Sequence, residues 1–233
     1  MSTHSRRTFL KTSLSATAPL FVPSSVLGLA GQTPPSDRVV VGQIGVGSRG
    51  TYVLKTVLEQ KEAQVVAVCD VKSDCRAAAA DMVNGWYENK DCATYNEFEE
   101  LVGREDIDAC VVASCDHWHV LHSLAAVRSG KDVYLEKPMG LSVEQDQTLR
   151  KAVRENKRVF QFGTQQRSDE KFRLACELVR NGRIGTLRDI YVWAPPSVSG
   201  GPLEQAPVPA TLDYDRWLGP APFTPYTTDR ETN

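Results

Sequence analysis

The stretch "RVVVGQIGVGSRG", Arg38 to Gly50, decides how the rest of the chain is read. It opens as a β-branched run and closes as Gly45-Val46-Gly47-Ser48-Arg49-Gly50, a GxGxxG pattern. The next ten residues, "TYVLKTVLEQ", have helical spacing, with Tyr52, Val53, Thr56 and Val57 able to share a face. Then "AQVVAVCD" forms a short apolar run that ends on Asp70, twenty residues after Gly50. Strand, glycine turn, helix, strand and terminal acid is the context a dinucleotide fingerprint requires. Gly45 would allow the tight turn. Gly47 would let the backbone approach a pyrophosphate, and Gly50 would let helix and strand pack closely. Ser48 and Arg49 open the helix, whose first amides and partial positive charge suit phosphate. Asp70 would accept from a ribose 2′-OH and repel a 2′-phosphate, which favours NAD over NADP. Arg49 and Lys72 pull the other way, since either could pair with a phosphate.

The same alternation continues outward. "SDCRAAAADMVNGW" reads as a helix capped by Ser73 or Asp74, and "NEFEELVG" as a shorter one. "DACVVAS" and "KDVYLEK" read as strands around the helix "HWHVLHSLAAVRSG". "SVEQDQTLRKAVRENK" is a helix with Ser142 as its cap, and "RVFQFG" a further strand. Short apolar strands alternating with helices predict an α/β fold, a Rossmann-type doubly wound parallel sheet. In such a sheet ligands bind beyond the carboxyl ends of the strands. That places interest on "VYLEKPMG", where the strand stops at Glu136-Lys137 because Pro138 cannot donate to a ladder.

Composition narrows the class. The chain has 233 residues and a net charge of −2, with no basic footprint for nucleic acid. No 18-residue apolar run lies in its body, so no membrane span is expected there. Residues 1–30 hold Arg6, Arg7 and Lys11 and no acid, and "SRRTFLK" followed by a weakly apolar stretch reads as a twin-arginine export signal. Without it the chain carries 24 basic and 29 acidic residues, or −5. The expected location is the periplasm. The six cysteines show neither CxxC pairs nor zinc spacing. Cys69 and Cys110 sit in apolar runs and read as buried small side chains.

Past Thr164 the texture changes. "SDEKFRLACELVRNGRIG" reads as a helix and "TLRDIYVWA" as a strand. Eight of the thirteen prolines then fall between Pro195 and Pro225, the mark of a long loop. One helix and one strand cannot bury a second core, so the sequence reads as the front part of a longer protein. The expected plan is signal 1–30, linker 31–37, dinucleotide-binding domain 38–163, and the beginning of an α+β substrate domain over 164–233.

Taken in order, "GVGSRG", "VCDV", "DHWHVLHSLAAVRSGKDVYLEKP" and "FGTQQRS" resemble the Gfo/Idh/MocA (glucose-fructose oxidoreductase/inositol dehydrogenase) family over about residues 38–195. "LDYDRWLGPAP" is similar to a subgroup of that family with twin-arginine signals. The resemblance implies an NAD(P)-dependent oxidoreductase acting on a sugar, cyclitol or related alcohol, and a homo-oligomer formed through the second domain's sheet. Lys137 matches the family's EKP lysine, near nicotinamide and substrate, where its ammonium could stabilise developing alkoxide charge. Glu136 could orient Lys137 or tune its pKa, and counts among the cofactor-binding candidates; the Lys137–Pro138 bond is expected to be cis. The family's Thr-Pro loop ending in His is here Ser114-Cys115 with His119 retained, which implies that Ser114, Asp116 and His119 border the cofactor. Gln165 and Arg167 are candidates for nicotinamide or substrate contact, with a hinge salt bridge as the other reading of Arg167. Trp193 and Trp217 are substrate-wall candidates by position, and core packing is the reading preferred for Trp193. No metal is expected, although His119 and His122 are three apart.

The family's Asp–His proton-transfer pair would lie beyond this chain's end, since no histidine follows His122. Two rival functions remain: an NAD-dependent glycosidase working by transient oxidation, and a non-catalytic dinucleotide-binding or truncated protein.

Overall fold

The computed structural model describes residues 34–194, 204–228 and 230. The twin-arginine stretch and part of the proline-rich segment, 195–203, lie outside the described residues. The chain divides into two units, residues 1–38 and 39–233. Of the first, the described part is a short 3-10 turn, Pro35–Asp37, closed by Asp37 N–H on the Pro34 carbonyl at 3.0 Å.

The second unit alternates strand and helix: β1 Val39–Ile44, α1 Ser48–Leu58, β2 Ala63–Cys69, α2 Ser73–Tyr87, β3 Ala93–Tyr95, α3 Phe98–Val102, β4 Ala109–Val112, α4 His119–Arg128, β5 Asp132–Glu136, α5 Val143–Glu155, β6 Phe160–Gly163 and α6 Glu170–Arg180. A further short helix, α7, spans Tyr214–Leu218. The sheet has six strands in the order β3-β2-β1-β4-β5-β6, and every pairing is parallel. This is the doubly wound Rossmann-type α/β fold that the alternation predicts. The chain leaves β1 towards β2 and returns on the other side with β4, so the order reverses at β1. Ile44 is in register with Cys69 and with Val112. Gly45, Asp70 and Ala113 therefore leave the sheet side by side, at the crevice where such folds bind ligands.

Both faces are covered, which is why the central strands are apolar almost throughout. Val41, Val65, Val68 and Val111 pack against Val53, Leu54 and Leu58 of α1 and Ala79 and Val83 of α2. Ile44, Cys69, Val112 and Leu135 pack on the other face with Leu101, Leu124 and Leu149 from α3, α4 and α5. Each Val, Leu or Ile among them contributes about 1.5–3 kcal/mol of burial.

Several local expectations are corrected. The buried face of α1 is Val53, Leu54 and Leu58, while Tyr52 is exposed and carries the Arg49 guanidinium 5.0 Å from its ring centre. Neither Ser73 nor Asp74 caps α2: Lys72 takes the cap position, and no side chain bonds there. Ser142 does cap α5, its hydroxyl accepting from Gln145 N–H at 3.2 Å. The three-residue edge strand β3, too short to show a period, is an addition.

Residues 186–194 are not a strand. They are exposed, and among the described residues no strand lies beside them to supply ladder hydrogen bonds. Trp193 is accordingly 82% exposed, against the core position preferred for it. The expected long loop is also only part of the truth, because residues 204–228 contain α7 and an apolar cluster of Leu212, Tyr214, Leu218 and Tyr226.

Candidate functional site: a cleft at the carboxyl edge of the sheet

The glycine loop is held from three sides. Gly45 has φ +87°, its N–H donates to the Cys69 carbonyl at 2.8 Å, and a Cβ on it would strike the Ala113–Ser114 backbone. A Cβ on Gly50 would fall on the Gly45 carbonyl, so helix and turn meet there without room for a side chain. At Gly47 a Cβ would meet nothing within 4 Å. That open side is the face a diphosphate needs. Gly47 is also the cap of α1, with no side-chain hydrogen bond, so no side chain takes the first amides from an anion. Ser48 begins the helix beside them.

Gln43 was not singled out from the sequence. It is fully buried in β1, and its Nε2 donates to the Gly45 carbonyl at 3.0 Å and the Gly50 carbonyl at 2.7 Å. It ties the two ends of the turn together. The available signal was a lone amide in an apolar central strand, which must find buried partners.

Asp70 fastens the loop to β2. One carboxylate oxygen accepts from Val46 N–H at 2.7 Å, the other from Lys72 N–H at 2.9 Å. Burial raises its pKa, the two N–H donors lower it, and the balance lies above the usual carboxylate value. A carboxylate with two oxygens still has acceptor capacity for a ribose hydroxyl.

At the end of β5 the Lys137–Pro138 peptide is cis. Glu136 does not orient the Lys137 ammonium. Its carboxylate is bound by Arg49, with Nε at 3.0 Å and Nη2 at 2.7 Å, and by Gln165 Nε2 at 2.7 Å; Lys137 reaches it only through its backbone N–H at 3.2 Å. Burial raises the Glu136 pKa, but the Arg49 and Gln165 bonds outweigh it and hold the carboxyl below its ordinary value. Arg49 is thus tied to β5 rather than poised for a 2′-phosphate. Lys137 is exposed, and among the described residues its ammonium has no partner.

The histidines are built into the wall. His119 is 1% exposed, with Nδ1 2.5 Å from the Pro138 carbonyl and Nε2 3.0 Å from the Ser114 carbonyl. It joins the β4 loop to the Lys137–Pro138 bend. His122 Nδ1 lies 2.9 Å from Ser114 Oγ, and the ring stacks on Trp118 at 4.8 Å. Burial, with the charges of His119 and His117 adding to it, pushes His122 down to about 3. Among the described residues no group of three His, Cys, Asp or Glu is placed to hold a metal.

One cleft of about 1020 Å³ collects these parts. Gly45, Gly47, Ser48, Arg49 and Gly50 line it from the loop, and Asp70 from β2. Ser114, Asp116 and His119 line it from the β4 side, Glu136 and Lys137 from β5. Gln165 and Arg167 do not line it. Gln165 braces Glu136 and Tyr134, while Arg167 is exposed with no ion pair among the described residues. Trp217, given only by position in the sequence, does line the cleft. Cys69 and Cys110 are buried free thiols, each pushed by burial up to about 12.

The model of the oxidoreductase family GFO_IDH_MocA, NAD-binding Rossmann fold, matches residues 39–164. The model of that family's C-terminal alpha/beta domain matches residues 188–233. A glycosyl hydrolase family 109 protein of Saccharopolyspora erythraea is 36% identical over 159 residues, covering 60% of this chain and 35% of its own length. Inositol 2-dehydrogenase 3 of the same organism is 34% identical over 150 residues, covering 64% of this chain and 42% of its own. Among solved structures, scyllo-inositol dehydrogenase from Lactobacillus casei with bound NAD(H) and scyllo-inositol superposes with a TM-score of 0.57 at 25% identity, over 64% of this chain and 42% of that one. The chain thus spans well under half the length of these relatives.

Proposed function

Because the chain belongs to the Gfo/Idh/MocA family of NAD-binding oxidoreductases, we propose that its cleft holds NAD, in preference to NADP, for hydride transfer with a sugar, cyclitol or related polyol. The observation that carries this reading is the cradle itself. An open Gly47, a helix N-terminus with no side-chain cap and an acid at the end of β2 sit together at the switch point of the sheet. The preference for NAD rests on two residues. Asp70 presents a carboxylate where a 2′-phosphate would sit, and Arg49 is engaged by Glu136.

The nicotinamide, when bound, supplies the hydride acceptor or donor. The protein's own part is positional and electrostatic. The amides of Gly47, Ser48 and Arg49 bind the diphosphate. Lys137, exposed at the β5 end with no ammonium partner among the described residues, stabilises charge as the substrate oxygen becomes alkoxide-like. His119, packed between the Ser114 and Pro138 carbonyls, helps to fix the bend that carries Lys137.

The 36% identity with a glycosyl hydrolase family 109 protein favours one second reading, glycoside cleavage through transient oxidation with no net change in NADH. We further propose export by the twin-arginine route on Arg6 and Arg7, with the cofactor carried in the folded protein.

The test is to purify the chain without added nucleotide, denature it, and identify the released small molecule by mass spectrometry. NAD supports the reading, and NADP overturns the preference drawn from Asp70. A protein that neither releases nor subsequently binds either nucleotide overturns the cofactor assignment.

A further inference from the structure

The segment around Leu212 does not trail off the domain. It returns to the residues immediately after Asp70. Lys72 and Leu212 form an antiparallel bridge, Ser73 N–H donates to the Thr211 carbonyl at 2.8 Å, and Asp213 N–H donates to the Val71 carbonyl at 3.0 Å.

Side chains lock it there. Asn96 Nδ2 donates to Asp213 at 2.9 Å, and Arg216 pairs with Glu97. From the β4 side, His117 Nε2 lies 2.9 Å from the Trp217 carbonyl, and Trp118 Nε1 donates to the Arg216 carbonyl at 2.9 Å. Behind, Leu212, Tyr214, Leu218 and Tyr226 form a buried cluster of their own. In front, Leu212, Arg216 and Trp217 line the same cleft as Gly47 and Asp70.

The position along the cleft identifies which part of a dinucleotide this wall would meet. The diphosphate belongs at the N-terminus of α1. Lys137 lies on the β5 side of β1, and Asp70 on the β2 side. The segment's backbone bridges, side-chain hydrogen bond and ion pair go to Val71, Lys72, Ser73, Asn96 and Glu97 on the β2–β3 side, with His117 and Trp118 reaching its end from the loop after β4. Leu212–Arg216 therefore flanks the Asp70 half, and Trp217 closes it towards the middle of the cleft. Trp217 stacks on Tyr214 at 5.8 Å and stands edge-on to His117 at 5.9 Å, yet stays only half-buried. A rigid, half-buried indole at the mouth of an adenosine subsite is suited to a purine face.

We propose that Leu212–Trp217 is the adenine-side wall of the dinucleotide site and that Trp217 is its purine contact. The inference rests on the dinucleotide reading of the cleft.

The test is equilibrium binding of NAD and ADP-ribose to the full 233-residue chain and to Trp217→Ala and Trp217→Phe. Loss of a base–aromatic stack predicts about tenfold or more weaker ADP-ribose binding for Trp217→Ala, largely restored in Trp217→Phe. ADP-ribose should quench indole emission in the wild type, and most of that quench should vanish in Trp217→Phe although binding persists. A purely structural tryptophan would not produce this pattern. Amide hydrogen exchange on the wild type provides a readout that needs no variant. ADP-ribose should slow exchange over 212–218 as well as in the glycine loop.

Equal ADP-ribose affinity in all three proteins, or slowing confined to the loop, overturns this proposal alone. A wild-type chain that binds neither NAD nor ADP-ribose overturns it together with the cofactor assignment.

Discussion

Arg49, in the first turn of α1, and Glu136, the last residue of β5, are 2.7 Å apart and join two edges of the cleft that are 87 residues apart in the chain. The carboxylate is buried and the guanidinium partly exposed, so the two partners are unequal. In the wild type Glu136 titrates below its ordinary value, so its stabilisation is present above about pH 4.5 and is lost as the pH falls through the folded value. Arg49→Ala removes both the hydrogen bond and the charge that Arg49 sets against burial, so the folded pKa should rise and the stabilisation gained above about pH 4.5 should shrink. Urea unfolding of both proteins between pH 4 and 7 checks this. Parallel pH profiles would refute the pairing.

Gln43 holds both ends of the glycine turn, so Gln43→Leu should loosen the loop without opening a large cavity. Losing two buried hydrogen bonds predicts a stability cost of about 1–3 kcal/mol and weaker nucleotide binding. Gly50→Ala is the more severe change, because the added methyl falls on the Gly45 carbonyl. It should abolish nucleotide binding measured by calorimetry.

His122 supplies an acid-side limit. Burial, then the charges of His119 and His117, hold it at about 3, while an unfolded chain takes up that proton near pH 6.5. Between these values the unfolded state binds more protons, so stability rises with pH and falls on acidification. One proton sets a slope of at most about 1.4 kcal/mol per pH unit. His122→Gln should flatten the slope between pH 5 and 6.5, read from denaturant unfolding.

Lys137 is exposed and has no partner among the described residues, so Lys137→Ala should leave stability within about 0.5 kcal/mol of wild type and leave nucleotide binding intact. If its ammonium stabilises alkoxide charge, turnover should drop by about 10²–10³. NADH formation from a polyol by the full enzyme, alongside a melting curve of the variant, separates the two effects.

Export is tested by Arg6→Lys/Arg7→Lys, which keeps the charge and removes the pair. Cell fractionation should find the wild type in the periplasm and the variant in the cytoplasm.

The sequence by itself determined the parallel sheet and the glycine cradle. Both are local statements: β-branched runs spaced by helices, glycines where Cβ would clash, and an acid at the end of β2. It also marked Ser142 as a cap, because a capping hydroxyl bonds within its own turn. It could not settle side-chain partners across the fold. Glu136 lies next to Lys137 in the chain yet bonds Arg49, because β5 and the start of α1 meet only once the sheet has assembled. Asp70 turned out to hold Val46, and Gln43 to hold the turn. Residues 186–194 carry a strand's alternation but lack a neighbouring strand among the described residues. Conversely, proline-rich composition hid the docking of Leu212–Trp217 beside Asp70. Such contacts depend on which groups come within about 3 Å of each other after burial, and sequence spacing does not encode that distance.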